Sequence, residues 1–249
     1  MATKAVQGKL TSVYVDHLNA SPYLQEYEVD SQRDDTDVTA FEADDKEFIT
    51  SAAENDVTLT GFWNGEEGSL DELLFLTYGT DVQNVVTLMP AGSLAVARGC
   101  LLVPGTQVGM NISAAADEQQ ALEADFKSRL VPGRVLKTPV PQTATGASAS
   151  PWVSPKVSQL GLSANLHVVA LSHGVTTPTA ITVEVEHGPD GTDWDTLVTF
   201  DIDPADPLGG YTASTLKTLE IEKQIRYTTT ITGGTTPSLL YLLAAGRRA

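Results

Sequence analysis

The chain of 249 residues carries 32 acidic and 15 basic residues, for a formal net charge of −17, and 41% of its residues are hydrophobic. This length suffices for one large β domain or two smaller ones. The negative charge disfavours nucleic-acid binding, because DNA affinity comes mostly from Lys and Arg on phosphates. We see neither a window approaching the roughly 18 apolar residues of a membrane span nor a secretory signal, and expect cytoplasmic synthesis without membrane insertion.

The first half of the chain combines strand patterns with most of the charge. Residues 1–137 hold 22 acidic and 9 basic residues. Alternation of apolar and polar residues predicts strands in this half. The predicted strands are 9–16, 23–30, 56–63, 84–90, 97–103 and 121–127.

An acidic segment separates the predicted strands at 23–30 and 56–63. It spans about 25 residues, and loops of that length in compact domains are usually functional or disordered. Apolar residues among the carboxylates favour a protein–protein docking segment, with buried anchors and a charged rim. A solvated acidic loop and a glycosidase carboxylate pair are the alternatives. The candidate site residues are Arg33, Asp34, Asp35, Asp37, Phe41, Asp44, Asp45, Phe48 and Ile49.

One short helix is predicted over residues 69–79, SLDELLFLTYG. Ser69 and Glu72 have the spacing of a capping box, in which each side chain caps the other's backbone amide. The leucines that follow recur at helical spacing, and Gly79 ends the pattern. We therefore expect an amphipathic helix packed on a sheet.

A segment rich in Pro, Ser, Thr, Ala and Gly, residues 138–156, predicts a linker, with Trp152 packed on a neighbouring domain. Beyond it, alternating runs separated by turns predict an antiparallel β-sandwich. The predicted strands there are 166–173, 181–188, 196–203, 225–232 and 238–245. The predicted domains are 1–137, the linker 138–156 and 157–249. The fold class is mainly β, with an N-terminal sandwich or barrel carrying one short helix and a C-terminal antiparallel sandwich.

Motifs for chemistry are weak. The acids of GPDGTDWD, residues 188–195, do not match a calcium loop, and a hairpin turn with Trp194 packed beneath the sandwich is expected instead. His167 and His187 are candidates to face each other on neighbouring strands, but nothing marks further zinc ligands. Cys100 is expected to be a buried apolar residue. We predict no catalytic residues, no metal and no cofactor.

The order of several short motifs resembles the tail tube, or major tail, proteins of long-tailed bacteriophages, particularly those infecting actinobacteria. The motifs are SPYLQEYEVDSQRDDTDVTAFEADDKEFI, NDVTLTGFWNG, SLDELLFLTYG and VVTLMPAG, followed by EVEHGPDGTDWDTLVTF and IRYTTTITGG. The chain departs from the family at Thr50-Ser51, where Pro-Gly is favoured, and in its ending, LLAAGRRA.

This resemblance implies a virion structural protein. Six subunits would join their sheets into a ring, and rings would stack into a tube around the tape measure protein and, later, the DNA. The segment at 33–55 would contact adjacent subunits or rings, the C-terminal sandwich would lie outside, and other tail proteins would be partners. DNA would pass the negatively charged lumen without specific binding.

Two other functions compete with this expectation. A cell-surface or glycan-binding module would present an aromatic patch, for which Trp152 and Trp194 are the candidates. A carboxylate-pair hydrolase is disfavoured because no catalytic triad, metal or phosphate motif is recognised.

Overall fold

The computed structural model describes residues 11–32, 35–37, 48–50, 54–90, 94–114, 119–149, 152–153 and 161–247, with side chains left out at 35–37, 48–50 and 54. Within these ranges the fold is mainly β with one short helix, which confirms the predicted fold class. The helix is α1 (Leu70–Thr77). The strands are β1 (Ser12–Val15), β2 (Leu18–Asn19), β3 (Leu24–Gln32), β4 (Asp35–Asp37), β5 (Phe48–Thr50), β6 (Glu54–Phe62), β7 (Gln83–Met89), β8 (Gly99–Ser113), β9 (Ala121–Ser128), β10 (Val131–Lys137), β11 (Gly146–Ala147), β12 (Trp152–Val153), β13 (Leu162–Ser172), β14 (Pro178–Gly188), β15 (Asp195–Ile202), β16 (Gly209–Ser214), β17 (Gln224–Gly233) and β18 (Ser238–Arg247).

The chain divides into two compact units. The large unit comprises Met1–Pro22, Asn84–Pro104 and Val131–Ala249, and the small unit comprises Tyr23–Gln83 and Gly105–Leu130. Strand β8 contributes its first part to the large unit and its second part to the small one. This grouping differs from the predicted division at 138–156, which stays a prediction, because strand pairing crosses the chain halves.

The large unit is a β-sandwich. One layer has the strand order β16-β13-β18-β10-β8-β7-β1-β2, and the other has the order β11-β17-β14-β15 with β12 beside β17. Both layers contribute to one buried cluster, in which Leu166 and Tyr241 meet Val183, Phe200 and Ile225. The predicted C-terminal strands are confirmed, and one of their layers continues into strands from the N-terminal half.

Much of the segment predicted as a linker pairs with the sandwich. Strands β11 and β12 both pair with β17, and Gln142 exchanges backbone hydrogen bonds with Leu239 at 2.8 and 2.9 Å. The Thr145 hydroxyl accepts a hydrogen bond from the Ile231 amide at 2.9 Å. Trp152 packs against the core, as expected. Short polar side chains can form hydrogen bonds with neighbouring backbone groups. Such bonds let this segment join a sheet although it has few apolar residues.

The small unit is a four-stranded antiparallel sheet, β3-β6-β9 and the second part of β8, with helix α1. Alternation in β6 and β9 buries Val57, Leu59, Leu122 and Phe126 on one face. Gln107 is the register partner of Phe126, and the Thr77 hydroxyl donates to the Gln107 amide oxygen at 3.1 Å. Because register partners point to the same face of a sheet, α1 lies on this buried face.

Candidate functional site

The predicted site residues divide between described and undescribed parts of the chain. Strands β4 and β5 pair antiparallel, with Thr36 opposite Ile49 and Asp37 opposite Phe48. Part of the segment predicted as a loop is therefore a two-stranded ribbon between β3 and β6. Asp35, Asp37, Phe48 and Ile49 lie in this ribbon, whereas Arg33, Asp34, Phe41, Asp44 and Asp45 lie outside the described residues.

The face of the small sheet opposite α1 is acidic. Its central row of register partners runs from Glu28 through Thr58 to Asp125, and the next row runs from Glu26 through Thr60 to Glu123. A third row adds Asp30, Asp56 and Lys127. Six carboxylates thus share one sheet face with a single described Lys, a cluster that sequence alternation could have revealed had the strand register been known.

Local contacts fix part of this face. The Thr58 hydroxyl donates to an Asp125 carboxylate oxygen at 2.7 Å. Lys127 Nζ lies 3.9 Å from an Asp56 oxygen, with both side chains about half exposed. This ion pair eases the repulsion between Asp30 and Asp56, which are direct cross-strand neighbours. Exposed pairs contribute only about 0–1 kcal/mol, and the six carboxylates outnumber the single described Lys of this face.

Gly109 makes room for a member of the acidic face. A register shift between Gln107 and Gly109 places Gly109 opposite Asp125. A Cβ at Gly109 would lie 2.5 Å from an Asp125 carboxylate oxygen and 3.1 Å from its Cβ. A larger residue at this bulge would therefore displace the Asp125 carboxylate from its present position.

Strand β3 forms an edge of the small sheet. Among the described strands it pairs only with β6, over a register that runs from Leu24–Gly61 to Gln32–Glu54. A long edge strand presents unpaired backbone donors and acceptors that can accept another strand. Its outward residues are mostly charged, which limits nonspecific pairing.

Helix α1 begins as predicted, but the predicted capping box is wrong. Ser69 occupies the cap position without a side-chain capping bond, and its buried hydroxyl has no partner. Glu72 instead accepts a hydrogen bond from the Gly68 amide at 2.5 Å. Buried Asp71 accepts one from the Gly65 amide at 2.9 Å, which organises the preceding turn. This role of Asp71 was not predictable from the sequence, because spacing alone does not identify which amide turns inward.

A buried polar cluster surrounds His167 in the large unit. Its Nδ1 lies 2.6 Å from the Asp16 backbone oxygen and its Nε2 2.7 Å from the Thr87 hydroxyl. Burial lowers the pKa of His167 to about 4, so the ring is neutral at pH 7. The Asp16 carboxylate accepts from the Val85 amide at 2.8 Å, and burial is the main cause that raises its pKa. The cluster pairs polar groups inside a core, which is the common role of buried hydrogen bonds.

The remaining sequence candidates have structural roles. His167 and His187 lie in different layers of the sandwich, so these two candidates do not face each other on neighbouring strands. Cys100 is buried, as expected, and burial raises its pKa to about 12. No cluster of metal-ligating side chains occurs among the residues that the structure describes. Across the same residues, no helix has the length and apolar character needed to span a membrane.

The two tryptophans proposed for a glycan patch are engaged within the large unit. The 188–195 string forms the predicted hairpin, and Asp190 accepts from the Thr192 amide at 2.9 Å. The Arg226 guanidinium lies 4.2 Å from the Trp194 ring centroid, and Trp152 packs against the core cluster. A stacking platform for a sugar would need these ring faces, so the arrangement disfavours that alternative.

Comparisons with known proteins identify no family. No protein-family model matches the chain, and no curated protein does. A chain in the virion of a native gene transfer agent particle aligns with TM-score 0.41 and 12% identity, over 52% of this chain and 98% of that one. A chain in the tail of an empty gene transfer agent particle with C6 symmetry aligns with TM-score 0.37 and 12% identity, over 51% and 97%. The SPP1 Dit protein, described as a hub of the adsorption apparatus in phages infecting Gram-positive bacteria, aligns with TM-score 0.34 and 13% identity, over 96% and 99%. These scores are too low to carry a functional inference.

Proposed function

We propose that the chain is a structural subunit of a bacteriophage tail, and specifically a tail tube subunit that assembles into stacked, hexameric rings. It is made in the host cytoplasm and resides in the virion tail, with the tape measure protein and adjacent tail proteins as partners. The observation that carries this proposal is the small sheet. One of its faces packs on α1, the opposite face is acidic, and β3 leaves an edge open.

The open edge supplies a means of assembly. If β3 pairs with an edge strand of a neighbouring copy, the sheets of several copies join into one closed barrel. Closure satisfies backbone groups that the isolated subunit leaves to water, and it removes edges that favour aggregation. The alternating pattern of β3 fixes the register, because a one-residue slip would exchange its half-buried residues with Glu26, Glu28 and Asp30.

The acidic face supplies a channel lining. In a closed barrel with α1 outside, the six carboxylates of this face point inward. DNA binding requires cations that replace the counterions on phosphates, and this face offers Lys127 alone among its described side chains. Such a lining repels the phosphate backbone and lets DNA pass without a fixed binding site.

The β4–β5 ribbon is proposed to contact an adjacent copy. It extends the β3–β6 hairpin by a second antiparallel ladder, and its sequence combines carboxylates with Phe48 and Ile49. A short ribbon with apolar residues has little core of its own and gains stability when another surface covers it. Contact with a neighbouring subunit or ring would provide that cover.

A variant without the ribbon tests this proposal. Gln32 and Glu54 are register partners, so replacing residues 33–53 by Asn-Gly joins β3 and β6 through a two-residue hairpin turn. We expect wild-type protein to form rings and hollow tubes in negative-stain electron micrographs, and the variant to remain a folded monomer by circular dichroism and light scattering. Tubes formed normally by the variant would contradict the ribbon's role. Wild-type rings that never stack would indicate that the chain belongs to another part of the tail and is not a tube subunit.

A further inference from the structure

Apolar side chains are exposed on and just beyond helix α1. Phe75, Leu76, Tyr78 and Val82 are exposed by 63%, 67%, 47% and 56%. Single exposed apolar residues are normal, but a group this close in the chain is typical of a contact surface. The helix therefore buries Leu70 and Leu74 in its own unit and leaves a second apolar side without cover.

A cleft beside these residues is both aromatic and acidic. It has a volume of about 430 Å³, and Trp63 and Phe75 line it together with Glu66, Glu67 and Glu72. Residues 47–97 contain eight acidic residues and no Lys or Arg. A partner for this cleft must therefore bring apolar surface together with a positive charge, which can lie over an aromatic ring or beside a carboxylate.

A turn in the large unit carries both properties. Leu216 is 77% exposed, Leu219 is 40% exposed, and Lys217 between them is also exposed. The Leu219 amide donates to the Leu216 oxygen at 3.1 Å, which closes the turn. The Thr215 amide donates to the Leu162 oxygen at 2.9 Å, so the turn is fixed to β13.

The other end of this turn depends on a glycine. The Gly161 amide donates to the Leu219 oxygen at 3.2 Å. Gly161 has φ +68°, and a Cβ there would overlap the Leu216 oxygen. The turn is thus held at both ends while Leu216 and Lys217 project, which lowers the entropy cost of binding them.

We propose that the Leu216–Lys217 turn of one copy docks into the α1 cleft of a second copy. Leu216 packs against Phe75 and Trp63, and Lys217 pairs with Glu67. This inference rests on the proposed function, because it requires that copies assemble. The two surfaces differ, so the contact is heterologous and repeats from copy to copy, closing a ring or extending a filament.

This contact contributes mainly to the specificity with which copies are arranged and less to the affinity between them. Stable interfaces bury roughly 1,200–2,000 Å², which a single turn in one cleft does not reach. Strand pairing through β3 supplies further contact. The acid–lysine pair favours one register, since a shifted neighbour would leave like charges opposed in a chain of net charge −17.

Disulfide trapping between two variants tests the contact. Glu67→Cys and Lys217→Cys proteins are prepared separately, assembled as a mixture and oxidised. We expect a cross-linked dimer from the mixture and little from either variant alone. The native Cys100 is 4% exposed, so it does not compete. Asp201→Cys, at an exposed position of β15, replaces Lys217→Cys in the control mixture. Equal cross-linking in both mixtures would overturn the proposal.

A charge exchange separates this proposal from the proposed function. Glu67→Lys and Lys217→Glu are each expected to raise the concentration needed for assembly roughly 3- to 10-fold, and the two changes in one chain are expected to restore it. Wild-type tubes that are insensitive to both single changes would overturn the contact and leave the tail tube function standing. A wild-type chain that forms no assembly at any concentration would overturn both.

Discussion

The two compact units place their polar groups differently. In the large unit, His167 and Asn165 are fully buried and hydrogen-bonded to Thr87 and to the Val86 backbone oxygen, within a sandwich that also buries Tyr241. In the small unit, Glu26 and Glu28 lie exposed on a sheet face, and Phe75 is exposed on the helix. We propose from this difference that the large unit supplies most of the stability and the small unit most of the assembly surface, to which the exposed Leu216–Lys217 turn of the large unit adds one contact.

A core truncation in the large unit should have the largest effect on stability. Leu166→Ala removes a fully buried side chain of the sandwich, and we expect the free energy of unfolding to fall by about 2–5 kcal/mol. Leu76→Ala is the matched control, because Leu76 is 67% exposed. It should change stability by no more than about 0.5 kcal/mol. Urea denaturation measures the free energy of unfolding of both variants. Equal losses in the two variants would contradict the assignment of stability to the buried core of the large unit.

Acid should destabilise the large unit through His167. The pKa of this ring falls from 6.5 to about 4 on burial, so between these values the unfolded chain binds a proton that the folded chain excludes. The contribution of neutral His167 to the free energy of unfolding is fully present above about pH 6.5. It is lost progressively toward pH 4, by on the order of 3 kcal/mol. The raised pKa of Asp16 has the opposite sign and offsets part of the loss.

Thermal melting from pH 7 to pH 4 measures this dependence. His167→Gln is the control, because it keeps a polar side chain but removes the titrating ring. We expect it to be less stable at pH 7 and to lose less stability on acidification. An unchanged slope in this variant would assign the acid sensitivity to other groups.

Charge reversal on the small sheet sharpens the contrast in surface charge. The wild-type chain should not retain duplex DNA at about 0.1 M salt, whereas Glu26→Lys, Glu28→Lys and Glu123→Lys together should raise affinity about tenfold or more, with a steep salt dependence. The control has the same net charge but places its changes in the large unit, at Glu184, Asp201 and Glu220. Fluorescence anisotropy measures the affinity of both variants for duplex DNA. Equal affinities would show that the effect depends on net charge and not on the arrangement of carboxylates on the small sheet.

The smallest effects concern the start of helix α1. Asp71→Ala removes the acceptor of the Gly65 amide and should cost about 1 kcal/mol. Ser69→Ala removes a buried hydroxyl without a partner and should change stability by a few tenths of a kcal/mol at most. Denaturant midpoints measure both. A larger loss of stability in Ser69→Ala would indicate that the Ser69 side chain does cap the helix, as the capping box predicted.

Local patterns in the sequence predicted most of the elements. Alternation identified β14, β15 and β17, because each buries one face and exposes the other. Strand β10 was missed because its VPGR start reads as a turn, and β16 was missed because its glycines follow a proline-rich turn. Glycine is favoured at positions 133 and 210 within these strands, because neighbouring groups approach too closely for a Cβ.

Long-range pairing was not predictable from these patterns. Nothing in the sequence of β1 or β7 indicates that they extend a layer containing β13 and β18, since pairing depends on register and connection rather than on local propensity. The acidic segment at 33–55 was visible, but the larger acidic face was not. Its carboxylates come from separate strands, and only the register of β3, β6 and β9 places them together.

Cryo-electron microscopy of assembled wild-type protein tests the central claim most directly. We expect a hollow tube in which β3 pairs with a strand of the neighbouring copy. Glu28, Thr58 and Asp125 should line the channel, with helix α1 on the outside. An assembly with the acidic face turned outward, or with β3 left unpaired, would contradict the account.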